Sequence, residues 1–297
     1  MTEPSAIPPL PCFLNGEFST LAEAKVSVLD RGFIFGDGIY EVVPAYRGVP
    51  FRFDEHMARL ERSLGELRIS NPMTRGQWRA LVVELMHRYA LANDTVPANT
   101  DQLVYLQVTR GVAMRDHAMI PDLEPTVFAT SNRLYIYTAQ ERAEGVACVT
   151  ADDFRWKMAH IKSISLAGAV LARQISADVG ANETIMFRDG WLSEAAASNV
   201  WVVQGGVVIG PPKDHLVLEG IRYGLLEQLC TEAGIRFELR RVSREEVMKA
   251  DEILLSSATK EVLPVTTLDG QPVGNGRPGP IYEKLYAGYQ RAKQASS

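Results

Sequence analysis

The chain has 297 residues, 46% of them apolar and 23% charged, so it can bury a sizeable core and is long enough for two domains. Its net charge of −5 comes from interspersed acids and bases with no long basic run, which argues against a general nucleic-acid or membrane-surface role and favours a small-molecule partner. Three widely spaced cysteines, Cys12, Cys148 and Cys230, fit a reducing compartment and no disulfide framework.

The first half opens with short strand-like pieces at 12–18 and 24–30. The alternation across 38–53, with Arg47-Gly48 at its centre, predicts a hairpin. Met57, Leu60, Leu64 and Leu67 recur at helical spacing after Asp54, a possible cap, and 75–93 gives a second helix. Strands at 101–111 and 124–131 complete an α+β unit assigned to residues 1–130. Residues 131–142 read as a linker, and the pattern restarts in a second domain, 143–297. There a strand at 145–154 precedes a helix at 165–180 that reads as buried. Strands across 183–212 follow, punctuated by Asp-Gly and Gly-Gly turns. A helix at 221–234, strands at 236–243 and 252–257 and a C-terminal helix close the chain. The N-terminus shows no basic segment followed by an apolar run, and no run of roughly 18 apolar residues occurs. A soluble, cytoplasmic protein is expected.

Four groups could carry chemistry. Lys162 stands just before the small-residue segment 165–180; a sheltered lysine either extends its ammonium to water or loses its proton and becomes a nucleophile. Lys157 competes with it but lacks that shelter, and the ordinary reading of either is a solvated lysine. In 192–201 (LSEAAASNVW), Glu194 lies between a strand and a run of alanines and should pair with a cation or a protonated ring nitrogen. Ser198 and Asn199 could bond backbone or an anion, and an exposed acid in a turn is the plainer alternative. In 30–42 (DRGFIFGDGIYEV), three glycines and two phenylalanines imply a tight loop, with no strand, glycine loop and helix in the order of a nucleotide cradle. Tyr40 and Glu41 then look like a site wall, or core in the case of Tyr40. In 107–121, Arg110, Arg115 and His117 are ordinarily solvated, or they converge to hold a carboxylate. The five histidines show no metal-ligand spacing. Together these groups suggest a Schiff-base enzyme with an anionic cofactor and a carboxylate substrate.

The segments DRGFIFGDGIYEVV, FDEHMARLERS, QVTRG…RDH, IKSISLAGAVLA, SEAAASNVW and DEILLSSATKEVLPV occur in the order and spacing of the class IV pyridoxal-phosphate aminotransferases. The chain resembles that family from about Phe13 to Tyr286, and most closely its D-amino acid (D-alanine) branch. The resemblance implies a two-domain α+β fold of type IV, with pyridoxal 5′-phosphate in the cleft between domains, and a homodimer. It implies Lys162 as the lysine that attaches the cofactor and moves the proton, and Glu194 as the partner of the ring nitrogen. Arg59, the Ile221 and Arg222 amides, and Ser257, Ala258 and Thr259 match the phosphate site, while Arg155 matches the arginine near the phenolic oxygen. Leu218 matches the leucine behind the ring, and Ser198 and Asn199 fall within the cofactor motif. Tyr40, Arg115 and His117 match the substrate carboxylate trap. Arg222 stands where a threonine is usual and Ala258 where a hydroxyl residue is frequent; backbone amides survive both changes. SEAAASN replaces a richer glycine and serine version. The implied reaction transfers an amino group from a D-amino acid to a 2-oxo acid such as 2-oxoglutarate or pyruvate. Branched-chain L-aminotransferases, aminodeoxychorismate lyases and R-selective amine transaminases share the scaffold. Gln107 stands where the branched-chain enzymes typically carry an arginine, and His117 favours a transaminase over a lyase.

Overall fold

The computed structural model describes residues 8–295. The chain divides into two units: the described residues to Leu134 with Ile161–Ser165, and Tyr135–His160 with Leu166–Ala295. A split into two contiguous stretches would leave Ile161–Ser165 in the second half. Backbone bonding explains why it belongs to the first: the Tyr40 amide donates to the Lys162 carbonyl at 3.0 Å and the Ile164 amide to the Gly38 carbonyl at 3.0 Å.

The first unit is built on β1 (Pro11–Leu14), β2 (Glu17–Thr20), the short helix α1 (Arg31–Phe35), β3 (Gly38–Tyr46), β4 (Val49–Pro50), α2 (Phe53–Glu66), α3 (Arg75–Ala92), β5 (Gln102–Thr109) and β6 (Thr126–Arg133). The strands form an antiparallel six-stranded sheet in the order β2-β1-β6-β5-β3-β4. Alternation sorts the side chains to its two faces. Ile39, Val43, Val104, Leu106 and Val108 are buried in one core with Met57, Leu60 and Leu64 of α2 and Trp78, Val82 and Leu85 of α3. Tyr40, Tyr105 and Gln107, out of phase with these, are half-buried. Thr74 caps α3 in a reciprocal box with Gln77.

Three local expectations are corrected. Residues 24–30 form no strand: Val26 and Val28 are exposed and only Asp30 makes a bridge, to Val112. Alternation without a neighbouring ladder is insufficient. Asp54 is not the cap of α2; left-handed Arg52 holds that position, and Asp54 sits in the first turn, where its negative charge complements the helix dipole. The glycine loop contains α1, capped by Asp30 and ended by left-handed Gly36. Gly38 must be glycine, because a Cβ there would fall 2.6 Å from the Val108 carbonyl oxygen and 3.0 Å from Ile164.

The second unit contains α4 (Ala139–Glu144), β7 (Val146–Asp152), α5 (Ala167–Asp178), β8 (Glu183–Arg188), β9 (Trp191–Ala195), β10 (Asn199–Gln204), β11 (Val207–Gly210), α6 (Ile221–Glu232), β12 (Phe237–Leu239), α7 (Arg244–Met248), β13 (Glu252–Ser257), β14 (Glu261–Leu268), β15 (Gln271–Pro272) and α8 (Pro280–Ala295). Its nine-stranded sheet runs β12-β11-β10-β13-β14-β7-β8-β9, with β15 on β14. The β14–β7, β7–β8 and β11–β12 pairs are parallel. Asp189-Gly190 and Gly205-Gly206 turn the two hairpins with positive φ throughout. The helix after Lys162 is not buried within this chain: of α5 only Ala172 and Ser176 are, while Val170, Leu171 and, just beyond the helix, Val179 are exposed. Among the described residues no helix is long and apolar enough to cross a membrane.

Candidate active site

Lys162 is carried along the edge of β3 by the bonds that tie its segment to Gly38 and Tyr40. Its own amide donates to Ser63 Oγ of α2 at 3.3 Å, and its Nζ lies 4.0 Å from the centre of the Tyr40 ring. A primary amine is thereby held against an aromatic face. Tyr40 stacks on Tyr105 with centroids 5.8 Å apart. Burial, with Tyr40 close by, pushes the Tyr105 phenol up to about 12, and its hydroxyl donates to Gln107 Oε1 at 2.7 Å. Gln107 is the register partner of Tyr40.

Glu41 is not a site wall. The strand phase that leaves Tyr40 half-exposed turns Glu41 into the core, where its carboxylate receives Arg59 Nε at 2.7 Å and Nη2 at 2.9 Å, with His56 Nδ1 at 2.7 Å. Burial pushes the Glu41 carboxyl up, but Arg59 and His56 together hold it well below the carboxylate range. Arg59 is thus fixed by a buried bidentate pair.

Glu194 lies on β9, buried, in the second unit. Its Oε1 receives Arg155 Nη1 at 2.8 Å; its Oε2 receives the Leu218 amide at 3.2 Å and Asn199 Nδ2 at 3.4 Å. Burial raises the Glu194 carboxyl overall, against the pull of Arg155 and the Leu218 amide. Arg155 also grips Asp153 through Nε and Nη2, both at 3.0 Å. Asp153 in turn accepts Ser193 Oγ at 2.8 Å and Arg188 Nη2 at 3.1 Å. The sequence reading missed Asp153, Ser193 and Arg188. An acid two residues before Arg155 in an extended segment was the available signal, since such neighbours share a face.

Asn199 Nδ2 also donates to the Leu218 carbonyl at 2.9 Å, which places the chain entering α6. Gly220, the cap of α6, is required there because a Cβ would fall 2.1 Å from Asn199 Oδ1. The Ile221 and Arg222 amides open the helix, where no intrahelical acceptor exists for them. The Arg222 side chain is buried, and its Nη2 donates to the Tyr289 hydroxyl at 2.9 Å. Ser198 donates to Glu183, which also receives Lys260. Ser257 ends β13, and Ala258 and Thr259 lie in the turn after it, with the Ser257 and Thr259 hydroxyls 3.4 Å apart.

Arg115 and His117 are exposed and gather on Phe35: the Arg115 guanidinium lies 5.4 Å from its ring centre and the His117 ring 5.3 Å. Their loop is pinned by Arg31, whose Nη1 donates to the Asp116 carbonyl at 2.6 Å while Nε holds Asp37 at 2.8 Å. Arg110, grouped with them in the sequence reading, is buried and bound to Asp37 and the Leu67 and Arg68 carbonyls. It is a structural cation.

The first unit offers an amine against an aromatic ring, and the second a buried carboxylate with a guanidinium and a helix-opening pair of amides. An aldehyde cofactor carrying a ring nitrogen and a phosphate needs each of these groups. The family described as Amino-transferase class IV matches residues 38–268. The chain belongs to the class IV aminotransferases. This class IV aminotransferase is 37% identical to a D-alanine aminotransferase of Bacillus licheniformis over 282 residues, 94% of this chain and 95% of that one. It shares its fold with the branched-chain aminotransferase of the archaeon Thermoproteus uzoniensis solved with norvaline, at TM-score 0.84 and 24% identity, over 97% of this chain and 96% of the other. The fold IV transaminase CpuTA1 of Curtobacterium pusillum superposes at TM-score 0.78 and 26% identity, over 91% and 92%. As in its class, the cofactor of this enzyme is pyridoxal 5′-phosphate.

Proposed function

We propose that this aminotransferase exchanges an amino group between a D-amino acid, D-alanine or one like it, and a 2-oxo acid such as pyruvate or 2-oxoglutarate. The observation that carries the reading is the Lys162 amine lying 4.0 Å from the Tyr40 ring centre, in a chain 37% identical to a D-alanine aminotransferase over nearly its whole length. A neutral Gln107 opposite Tyr40 supports this branch over the branched-chain one.

Bound pyridoxal phosphate supplies an electron sink. Lys162 is the attachment point and moves the proton at the substrate Cα. Glu194 would hold a proton on the ring nitrogen; Arg155, matched to the arginine near the phenolic oxygen but bound to Glu194 and Asp153, would act through Glu194, and Leu218 would pack against the ring. Arg59, the Ile221 and Arg222 amides and residues 257–259 would hold the phosphate, while Ser198 and Asn199 support the Glu194 strand. Tyr40, Arg115 and His117 receive the substrate carboxylate; a carboxylate held on that side presents the Cα hydrogen of a D-amino acid to Lys162. The exposed apolar row Val170, Leu171 and Val179, with Phe154 and Trp156, supports a homodimer, and three buried, unbridged cysteines support a cytoplasmic location.

An absorbance scan of the purified enzyme with D-alanine, L-leucine and R-phenylethylamine added in turn tests the reading. D-Alanine should bleach the cofactor band; bleaching by L-leucine or the amine alone would assign the enzyme to another branch.

A further inference from the structure

The charge around Glu194 is not settled by Arg155 alone. Arg155 divides its guanidinium, with Nη1 on Glu194 and Nε and Nη2 on Asp153. The Asp153 side chain is fully buried and accepts from the Arg155 amide at 3.1 Å, the Ser193 hydroxyl and Arg188 Nη2 as well. Arg188 Nη2 also donates to the Arg155 carbonyl at 3.1 Å, so it braces both partners. Two buried carboxylates and two arginines therefore balance. A guanidinium shared only with Glu194 would cancel that carboxylate and leave a second cation poorly compensated.

We propose that Asp153 and Arg188 are positioning residues that set the charge Glu194 offers to the cofactor ring: Asp153 takes up the charge of Arg155, and Arg188 limits that effect. The inference rests on the reading that Glu194 faces the ring nitrogen. Tyr223 also faces Glu194; burial, with Glu194 next to it, pushes its phenol above the ordinary tyrosine value, so it stays neutral throughout the working range. Asp153→Asn and Arg188→Gln remove charges of opposite sign from one cluster. Electrostatic tuning moves the ring nitrogen in opposite directions in the two variants, whereas loss of packing moves it the same way in both.

The test uses holoenzyme loaded with cofactor carrying nitrogen-15 in the ring, with the ring-nitrogen chemical shift followed across pH in the parent enzyme and in D153N, R188Q and E194Q. Proton affinity should fall about tenfold in D153N and rise about tenfold in R188Q. Shifts of the same sign, or none in either variant while E194Q responds, overturn the inference and leave the Glu194 assignment intact. An unchanged E194Q overturns that assignment and the inference with it. Where D153N does not fold, R188Q decides: a rise supports the inference, and an unchanged or lowered affinity overturns it.

Discussion

Arg155 donates to Glu194 at 2.8 Å inside the second unit, which joins two residues 39 positions apart in the chain. Burial raises the Glu194 carboxyl, while Arg155 and the Leu218 amide favour the charged form that a protonated ring nitrogen pairs with. Removing its charge tests this. Glu194→Gln should retain cofactor yet slow Cα proton transfer by about a hundredfold or more, read as the single-turnover rate with D-alanine. An unchanged rate would make Glu194 structural.

Glu41 should behave as a stability residue. Its folded pKa lies below the ordinary carboxyl value because Arg59 and His56 outweigh burial. The stabilisation is therefore fully present above the unfolded pKa and is lost as pH falls through the folded one. Glu41→Gln leaves Arg59 buried without its counter-charge and should cost about 3 kcal/mol at neutral pH. Urea unfolding at neutral pH and below about pH 4 should show the difference from the parent shrinking in acid.

The helices α2 and α3 and the hairpins were legible because apolar period and turn residues agreed locally, although the cap of α2 was misplaced. Segment 24–30 alternates as a strand should, but a ladder partner is a property of the fold and not of the segment. β14 escapes a sequence reading because burial along nearly its whole length removes alternation and Pro264 interrupts an otherwise Val- and Thr-rich run. Small residues in α5 suggest burial, yet most of its apolar side chains are exposed in the single chain. At the site, Lys162, Glu194 and Arg155 are marked by motif. Which face each side chain of β3 takes, and hence the separation of Tyr40 from Glu41, depends on the register with β5.

Arg115 should read the substrate carboxylate. Losing one charged hydrogen bond costs about 1.5 to 3 kcal/mol, or roughly ten- to a hundredfold in affinity. Arg115→Ala should raise the Michaelis constant for D-alanine by that factor and affect R-phenylethylamine much less in the amine half-reaction. Equal losses for both donors would reduce Arg115 to support of its loop.

Arg31 should act through that loop, since it bonds the Asp116 carbonyl between Arg115 and His117. Arg31→Gln is expected to reproduce the donor-selective rise in Michaelis constant, at about tenfold or less. Half-reaction rates with the same two donors check it; a uniform fall for both would separate Arg31 from carboxylate recognition.

Lys162, on the edge of β3 beside Tyr40, should be the reacting amine. Borohydride reduction of the holoenzyme, followed by peptide mapping, locates the lysine joined to the cofactor. The label should fall on Lys162, with Lys162→Ala unlabelled and inactive and Lys157→Ala labelled as the parent is. A label on Lys157 would contradict this assignment.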